Sequence, residues 1–328
     1  MSPIAGPHTE IIRAGGSHLP GLLERVEARL GELAAAHGDV LAAHAGETIA
    51  AGGKRLRPLL VFLAAGDPDG DGAGLVRAAT AVELIHSATL VHDDVLDAAA
   101  LRRGRPTVVA AAGRAMATAT GDLLFARAFA ELTANGDPDQ VRVLSDASSS
   151  LARGELLQRA DAWDASVSVE RYLLRCELKT ARLFEAACRL GAIESGGGAE
   201  LAAPLGRFGR RIGLAFQLLD DVLDVSGPAS RTGKHRGTDL LDGTVTLPLI
   251  LARESDPELA ALDPRTIADP ADAERVCDRI EATGALDEAR TRALAMVEEA
   301  KDGLPAELPE AQRRALDLVA NGVVARYA

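Results

Sequence analysis

LVHDDVLDAAALRRGR, residues Leu90–Arg105, has a near repeat at Phe216–Asp224, which reads FQLLDDVLD. Both stretches place Asp-Asp-x-x-Asp within an apolar run, and in an α-helix the first and last Asp of such a motif share a face. Carboxylates concentrated on a largely buried helix cost free energy unless cations neutralise them. Mg²⁺ suits such oxygen ligands, since it binds one or two carboxylates together with waters and substrate phosphates. The repeat therefore predicts facing carboxylate walls that hold Mg²⁺ against a diphosphate.

One copy of this motif would more often be a solvated helix face. Two copies in apolar surroundings, one of them followed by Arg102-Arg103-Gly104, favour the metal and phosphate interpretation.

Composition narrows the class of protein. Of 328 residues 47% are hydrophobic but only 3% aromatic, so Ala, Leu and Val must build the core, and these residues favour helices. The net charge of −12 argues against a nucleic-acid surface. Three cysteines without metal-type spacing indicate reduced thiols in a cytoplasm.

The sequence predicts neither export nor a membrane span. The N-terminus, MSPIAGPHTEIIRAGG, has no apolar segment of the kind found in signal peptides, and no run approaches 18 apolar residues. We therefore expect a cytoplasmic protein without an integral membrane segment.

Helical spacing of apolar residues recurs throughout the chain, without strand-like alternation and without a linker long enough to divide it. The sequence predicts one all-α domain over residues 1–328, with the motifs at about 52–248 and further helices at about 246–328. We expect helix breaks at Asp263-Pro264, Asp269-Pro270 and Gly303–Pro305, and an interruption of the buried helix Ala110–Leu132 near Thr118–Gly121.

Several cations accompany the acidic motifs. Ala51–Leu60, AGGKRLRPLL, is either a solvated helix start or a phosphate cradle. His86 lies two helical turns before the first motif, so we regard it as a site residue rather than an ordinary core histidine. Lys179 and Thr180 lie within a buried helix, where a Lys usually extends its ammonium group to solvent, a buried anion being the alternative. Arg231–Gly243 is a loop rich in Gly and cations.

Taken together, these stretches resemble the trans-isoprenyl diphosphate synthases, or polyprenyl synthetases. The resemblance runs from about Gly52 to Pro248 and follows the family's motif order: GGKRLRP, LVHDDVLD with RRGRPT, GELLQ, KTARLF, FQLLDDVLD, and GK…GTDL…TLPL. It implies a helical bundle around a deep central cavity, a homodimer, and Mg²⁺-dependent head-to-tail addition of isopentenyl diphosphate to an allylic diphosphate. About three Mg²⁺ ions per active site are implied.

The resemblance also implies roles for individual residues. The metal ligands would be Asp93, Asp97 and Asp220, supported by Asp94, Asp221 and Asp224. The allylic diphosphate would contact Arg102, Lys179 and Lys234, and the isopentenyl diphosphate would contact Lys54, Arg57, His86 and Arg103. Thr180 and Gln217 match the polar groups that lie near the developing carbocation, and with Lys179 they form the expected catalytic set.

One cation of the family pattern is missing. Where the family often has Lys after Asp-Gly, this chain has Thr244, and we hypothesise that Arg236 supplies the charge.

Product length is predicted from the helix that carries the first motif. Small residues at Ala88 and Thr89, followed further back by Ile85, leave the expected channel open, and Phe125 or Phe129 would form its floor. One helical turn of about 5.4 Å corresponds roughly to one isoprene unit, so we expect an all-trans product of about six units or more.

The alternatives are a geranylgeranyl or farnesyl diphosphate synthase, a class I terpene cyclase, and a non-catalytic subunit of a two-component synthase. A cyclase would have no use for the second diphosphate site that Lys54, Arg57 and Arg103 imply. Non-catalytic subunits typically lose an Asp motif, and both motifs are intact here.

Overall fold

The computed structural model describes residues 7–36, 46, 49, 55–68, 70–102, 104–227 and 236–325. Its helices are, in chain order, α1 Pro7–Ala14, α2 Leu19–Ala35, α3 Leu56–Ala65, α4 Ala73–Leu96, α5 Val108–Thr133, α6 Pro138–Ala160, α7 Val169–Cys176, α8 Arg182–Glu194, α9 Gly198–Ser226, α10 Thr238–Leu241, α11 Leu247–Ser255, α12 Pro257–Ala261, α13 Pro270–Ala282, α14 Ala285–Asp302 and α15 Glu310–Ala325. A π-helix, Glu177–Ala181, joins α7 to α8, and a 3₁₀ turn covers Pro264–Thr266.

The all-α prediction is confirmed. The strands in the described residues are β1, Leu101–Arg102, and β2, Arg105–Pro106, which pair antiparallel. The predicted helix breaks at Asp263-Pro264, Asp269-Pro270 and Gly303–Pro305 all lie between successive α-helices or at a helix start, and Pro270 is the first residue of α13. Asp263 and Asp269 cap the turns that follow them, as their side chains accept backbone N–H bonds from Arg265 and Asp272.

The interruption predicted in α5 lies elsewhere. The backbone leaves helical geometry at Gly113, with φ +82° and ψ 169°, and not at Thr118–Gly121. The residues Ala110–Ala115 are exposed, so the helix predicted to be buried is buried only in its later part. Glycine tolerates this positive φ because it has no Cβ, which explains why the break occurs there.

By contacts between Cα atoms the chain divides into two compact units. Unit 1 comprises residues 1–148, 183–209 and 303–319, and unit 2 comprises 149–182, 210–302 and 320–328. The single domain expected from the sequence stays a prediction.

In unit 1, small residues let the helices approach closely, which offsets the scarcity of aromatic side chains. A Cβ on Gly191 would lie 2.0 Å from the carbonyl oxygen of Val61, and one on Gly209 would lie 2.5 Å from that of Phe184. Helix α4 of this unit is largely buried: Ala81, Val82, Leu84, Ile85 and Ala88 have no accessible surface. By length and apolar composition α4 could cross a membrane. However, 78% of its most apolar 18-residue segment is buried inside the fold, as in the core helix of a soluble protein.

Unit 2 is built from the second half of α9, the end of α6, α7 with the π-helix, and α10–α14. Its core includes Tyr172, Ile212, Leu247 and Cys277, all with 0% exposure. Pro248 follows the first residue of α11, where a missing N–H breaks no helical bond.

Candidate active site

The first acidic motif lies at the end of α4, on the accessible side of an otherwise buried helix. His86, Thr89, Leu90 and Asp93 are half-buried, whereas most residues between and before them are buried. Spacings of three, four and seven residues place all four on one face. His86 therefore shares a face with Asp93, as the sequence predicted for a site residue.

Both acidic motifs occupy the C-terminal turns of their helices, where the helix dipole is unfavourable for carboxylates. Helix α4 ends at Leu96, and the backbone N–H of Asp97 caps it by donating to Asp93 O. Helix α9 ends at Ser226, two residues after Asp224, and neither last turn contains a basic residue. Carboxylates in this position favour a bound cation.

Asp94 points into the fold and holds Arg102. Its Oδ1 accepts from Nε of Arg102 at 2.8 Å and lies 2.7 Å from Nη2 of the same guanidinium, and Asp94 itself is 5% exposed. A buried carboxylate that takes both contacts fixes the direction of the arginine. This contact agrees with the supporting role expected for Asp94.

The two arginines before α3 are used differently. Arg55, in a left-handed conformation (φ 45°, ψ 41°), is paired with Glu27 and lies 2.7 Å from Glu83. Arg57 instead lies over the Phe184 ring, with Cζ 4.6 Å from the centroid, and its Nε is buried without a hydrogen-bond partner among the described residues. Burial lowers the pKa of Arg57 to about 10, an effect that Glu83 opposes, so the guanidinium remains charged at neutral pH. An unpaired, charged guanidinium is suited to a phosphate group.

In unit 2 the second motif divides in the same way. Asp220 is exposed, Gln217 and Asp224 are half-buried, and the three share a face of α9. Asp221 is 3% exposed and accepts hydrogen bonds from Tyr172 and Gln217, both at 2.7 Å. Burial raises the pKa of Asp221 to about 8, and Asp239 adds to the rise, while these two hydrogen bonds oppose it.

Lys179 and Thr180 lie in the π-helix, a local widening that is often found at functional sites. The hydroxyl of Thr180 donates to Oε1 of Gln217 at 2.8 Å, and Nζ of Lys179 pairs with Glu155. Burial alone would raise the pKa of Glu155, but the ammonium of Lys179 outweighs it and the pKa is lowered. Unit 2 thus brings together Lys179, Thr180 and Gln217, the predicted catalytic set.

The oxygen-only donor set fits Mg²⁺. Among the described residues no three His, Cys, Asp or Glu side chains converge on a ready-made metal position. Mg²⁺ does not require one, because it usually binds one or two carboxylates and takes its other ligands from water and phosphate. Asp97 and Asp220 are exposed and Asp93 is half-buried, whereas Asp94 and Asp221 are buried.

Three predicted substrate contacts, Lys54, Arg103 and Lys234, lie outside the described residues. The hypothesis that Arg236 replaces the missing charge at Thr244 is not supported by its contacts. Nη1 of Arg236 lies 2.8 Å from Asp278 and Nη2 3.4 Å from Glu281, and its Nε donates to Val225 O. Its charge is therefore neutralised by α13.

The predicted chain-length residues are only partly accessible. Ile85 and Ala88 have no accessible surface, so the open channel expected there is closed in this structure, whereas Thr89 is half-buried on the face of Asp93. The ring of Phe125 stacks on His92, the residue before Asp93, with centroids 5.8 Å apart, and its role as a floor stays a prediction. Phe129 lies one turn further along α5 and remains a candidate for the floor.

Sequence reasoning left three contributors without a role. Glu155, the second residue of the GELLQ motif, pairs with Lys179. Phe184 supports Arg57, and Tyr172 holds Asp221. A tyrosine at a buried helical position was the available signal for the last, because a buried hydroxyl needs a partner.

Comparisons with known proteins agree with this geometry. The sequence profile of the polyprenyl synthetase family matches residues 39–282. Component 2 of the heptaprenyl diphosphate synthase of Geobacillus stearothermophilus is 41% identical over 240 residues, 72% of this chain and 74% of that protein. The octaprenyl diphosphate synthase of Escherichia coli is 39% identical over 250 residues, covering 75% and 77% respectively.

Among solved structures, a polyprenyl synthase from Caulobacter crescentus, in complex with calcium and isoprenyl diphosphate, superimposes with a TM-score of 0.88. It is 35% identical, and the match covers 98% of both chains. With its ordered motifs, its helical fold and these matches, the chain belongs to the polyprenyl synthetase family.

Proposed function

We propose that this enzyme is a trans-polyprenyl diphosphate synthase that adds isopentenyl diphosphate, head to tail, to an allylic diphosphate. The observation that carries this proposal is the pair of Asp-x-x-x-Asp faces at the C-terminal turns of α4 and α9. In each helix the first and last carboxylates of the motif are half-buried or exposed, and the middle one is buried.

The chemistry proceeds by ionisation. The carbon–oxygen bond of the allylic diphosphate breaks, and its electron pair leaves with pyrophosphate. The double bond of isopentenyl diphosphate then supplies the electrons of the new carbon–carbon bond, and a proton is lost to the bound pyrophosphate. When bound, Mg²⁺ stabilises the charge that develops on the leaving group.

The residues of this chain bind and orient the substrates. We assign Arg102, which pairs with Asp94, and Lys179, which pairs with Glu155, to the allylic diphosphate. Arg57 has a guanidinium without an ionic partner at contact distance among the described residues and is assigned to isopentenyl diphosphate, together with His86. The oxygens of Gln217 and Thr180 stabilise the positive charge on the allylic carbon. Their dipoles are already oriented before the charge develops, so no free energy is spent on turning them.

We propose Mg²⁺, about three ions per site, as the metal, with Asp93, Asp97 and Asp220 as ligands. A product of about six or more isoprene units is supported by relatives named as heptaprenyl and octaprenyl diphosphate synthases. A cytoplasmic homodimer is our further expectation. The name component 2 in one relative describes a synthase of more than one component, so a heteromeric assembly is the second candidate.

The test is an assay of the purified single chain with radiolabelled isopentenyl diphosphate and an allylic starter, with and without Mg²⁺. We expect label in a polyprenyl diphosphate, no activity in excess chelator, and recovery on adding Mg²⁺. Asp93→Asn and Asp220→Asn should each reduce turnover by orders of magnitude with unchanged helicity. Asp287→Asn, a change at an exposed surface carboxylate, is the matched control.

Other results would identify the alternatives. A cyclic hydrocarbon from the allylic substrate alone would indicate a terpene cyclase. Activity only after a second protein is added would indicate a component of a heteromeric synthase. Full activity in excess chelator would contradict the metal assignment.

A further inference from the structure

The side chain of Tyr172 connects the second acidic motif to the core of unit 2. Tyr172 is 0% exposed, and its hydroxyl donates to Oδ2 of Asp221 at 2.7 Å. The other oxygen of Asp221 accepts from Nε2 of Gln217, also at 2.7 Å. Both oxygens of this buried carboxyl group are therefore held, one by each neighbour.

These contacts determine the orientation of the Gln217 amide. Because its NH₂ donates to Asp221, its carbonyl oxygen faces Thr180, whose hydroxyl donates to it at 2.8 Å. The reverse orientation would present the NH₂ group, the positive end of the amide dipole, where the oxygen now lies. A carbocation is stabilised by the oxygen end and repelled by the nitrogen end.

On its other side Tyr172 rests on Arg175. The Cζ of Arg175 lies 5.5 Å from the Tyr172 ring centroid, within the range of a cation–π contact. Arg175 is 3% exposed, and its Nη2 donates to the carbonyl oxygen of Val245 at 2.5 Å. Its Nη1 lies 3.9 Å from Oδ2 of Asp161, a carboxylate that is 2% exposed.

Asp161 is anchored in turn. Its Oδ1 accepts from Nε of Arg171 at 2.6 Å, whereas Oδ2 of Asp161 and Nη1 of Arg175 have no hydrogen-bond partner among the described residues. Burying a guanidinium costs desolvation free energy, which only close pairing offsets. Arg175 therefore contributes little net stability. A chain of contacts thus leads from Asp161 through Arg175, Tyr172, Asp221 and Gln217 to Thr180.

We propose that Tyr172 and Arg175 are positioning residues that hold the Gln217 amide, and through it Thr180, in the orientation required for carbocation formation. The inference rests on the proposed prenyl transfer and adds two buried residues that bind neither substrate nor metal. Their effect is confined to the ionisation step. Substrate affinity depends on the phosphate-binding cations and not on the direction of an amide.

The test compares Tyr172→Phe with the wild type in single-turnover measurements of the first condensation. Phenylalanine keeps the ring on Arg175 and removes only the hydroxyl. We expect the rate of the chemical step to fall about tenfold or more and the KM for each diphosphate to stay within about twofold. Thr80→Val is the matched control, because it also removes a hydroxyl at 0% exposure, one without a hydrogen-bond partner among the described residues, and its rate should be unchanged.

A double-mutant cycle separates positioning from simple structural support. In a Gln217→Ala background Tyr172→Phe should have little further effect, because the group it orients is gone. Arg175→Lys, which keeps a cation and one donor for Val245 O, should retain more activity than Arg175→Ala. If Tyr172→Phe does not fold, Asp161→Asn perturbs the same chain from its far end and should lower the single-turnover rate without changing KM.

The inference is overturned if the single-turnover rate of Tyr172→Phe equals that of the wild type, or if its effect is fully additive with Gln217→Ala. A wild-type enzyme without prenyl transfer would instead refute the proposed function, and the two failures are therefore distinct.

Discussion

Gly154 touches the backbone of Lys179: a Cβ on Gly154 would lie 2.5 Å from the backbone nitrogen of Lys179 and 2.8 Å from its Cα. Helix α6 and the π-helix therefore meet backbone to backbone, and only glycine permits this approach. The next residue, Glu155, pairs with the ammonium of Lys179. The Gly-Glu dipeptide of the GELLQ motif thus fixes the backbone and the ammonium group of Lys179, which we propose contacts the allylic diphosphate.

Gly154→Ala should accordingly impair both stability and catalysis. The added methyl group must push the π-helix away, which costs about 1–3 kcal/mol in a packed interior and displaces Lys179. We expect kcat/KM for the allylic diphosphate to fall at least tenfold in steady-state kinetics. We also expect the urea midpoint of unfolding to fall. Gly31→Ala is the control: Gly31 lies in α2 with no atom within 4 Å of its Cβ position, so this change should stabilise by about 0.5–1 kcal/mol. Wild-type kinetics in Gly154→Ala would show that the contact is not needed.

The sequence predicted the motifs and helices correctly where one periodic signal decided the outcome. The apolar spacing around Asp93 and Asp220 indicated helices, and both are helical. It could not reveal that Glu177–Ala181 is a π-helix, because a single inserted residue leaves the 3.6-residue pattern on either side almost unchanged. Nor could it show that Gly154 meets Lys179, because residues distant in sequence leave no local trace of their contact.

Arg55 and Arg57 should differ sharply in function although they are two residues apart. Arg57→Ala should raise the KM for isopentenyl diphosphate at least tenfold and leave that for the allylic substrate within about twofold, because its guanidinium has no paired carboxylate at contact distance among the described residues. Arg55→Ala should instead destabilise by about 3 kcal/mol, because it leaves the buried Glu83 without its partner. Steady-state kinetics measure both KM values, and urea unfolding measures the stability, for each of the two variants. A large KM effect from Arg55 alone would reverse the assignment.

Arg236→Ala should be nearly silent in kinetics. Its guanidinium is engaged by Asp278, Glu281 and Val225 O, so its removal loosens the packing of α13 rather than the diphosphate site. We expect kcat and both KM values within about twofold of the wild type and a lower unfolding midpoint. A tenfold rise in the allylic KM, restored by Thr244→Lys, would revive the hypothesis that Arg236 replaces the missing lysine.

Side-chain direction explains why the chain-length prediction needs revision. Spacing alone suggested that Ala88 and Thr89 are equivalent, but at about 100° per residue they diverge, and only Thr89 has accessible surface beside Asp93. Phe125 was expected as a possible floor of the channel, and its ring stacks on His92. The sequence could not predict the position of Phe125, because the register between α4 and α5 depends on tertiary contacts. One such contact is the close approach of Gly121 to His92, where a Cβ on Gly121 would lie 2.2 Å from Nε2 of His92.

Product length can now be tested at the accessible position. Thr89→Phe should shorten the product by at least one isoprene unit with little loss of stability, because the ring enters the half-buried face that carries Asp93. Ala88→Phe places the same ring where there is no accessible surface, so it should mainly lower stability. Phe129→Ala should lengthen the product if this ring forms the floor. Chromatography of the dephosphorylated products measures all three against the wild type, for which we expect about six units or more, and Thr89→Val, which keeps the side-chain size, should leave the length unchanged. A wild-type product of three or four units would show that the channel ends nearer to Asp93 than its small residues suggest.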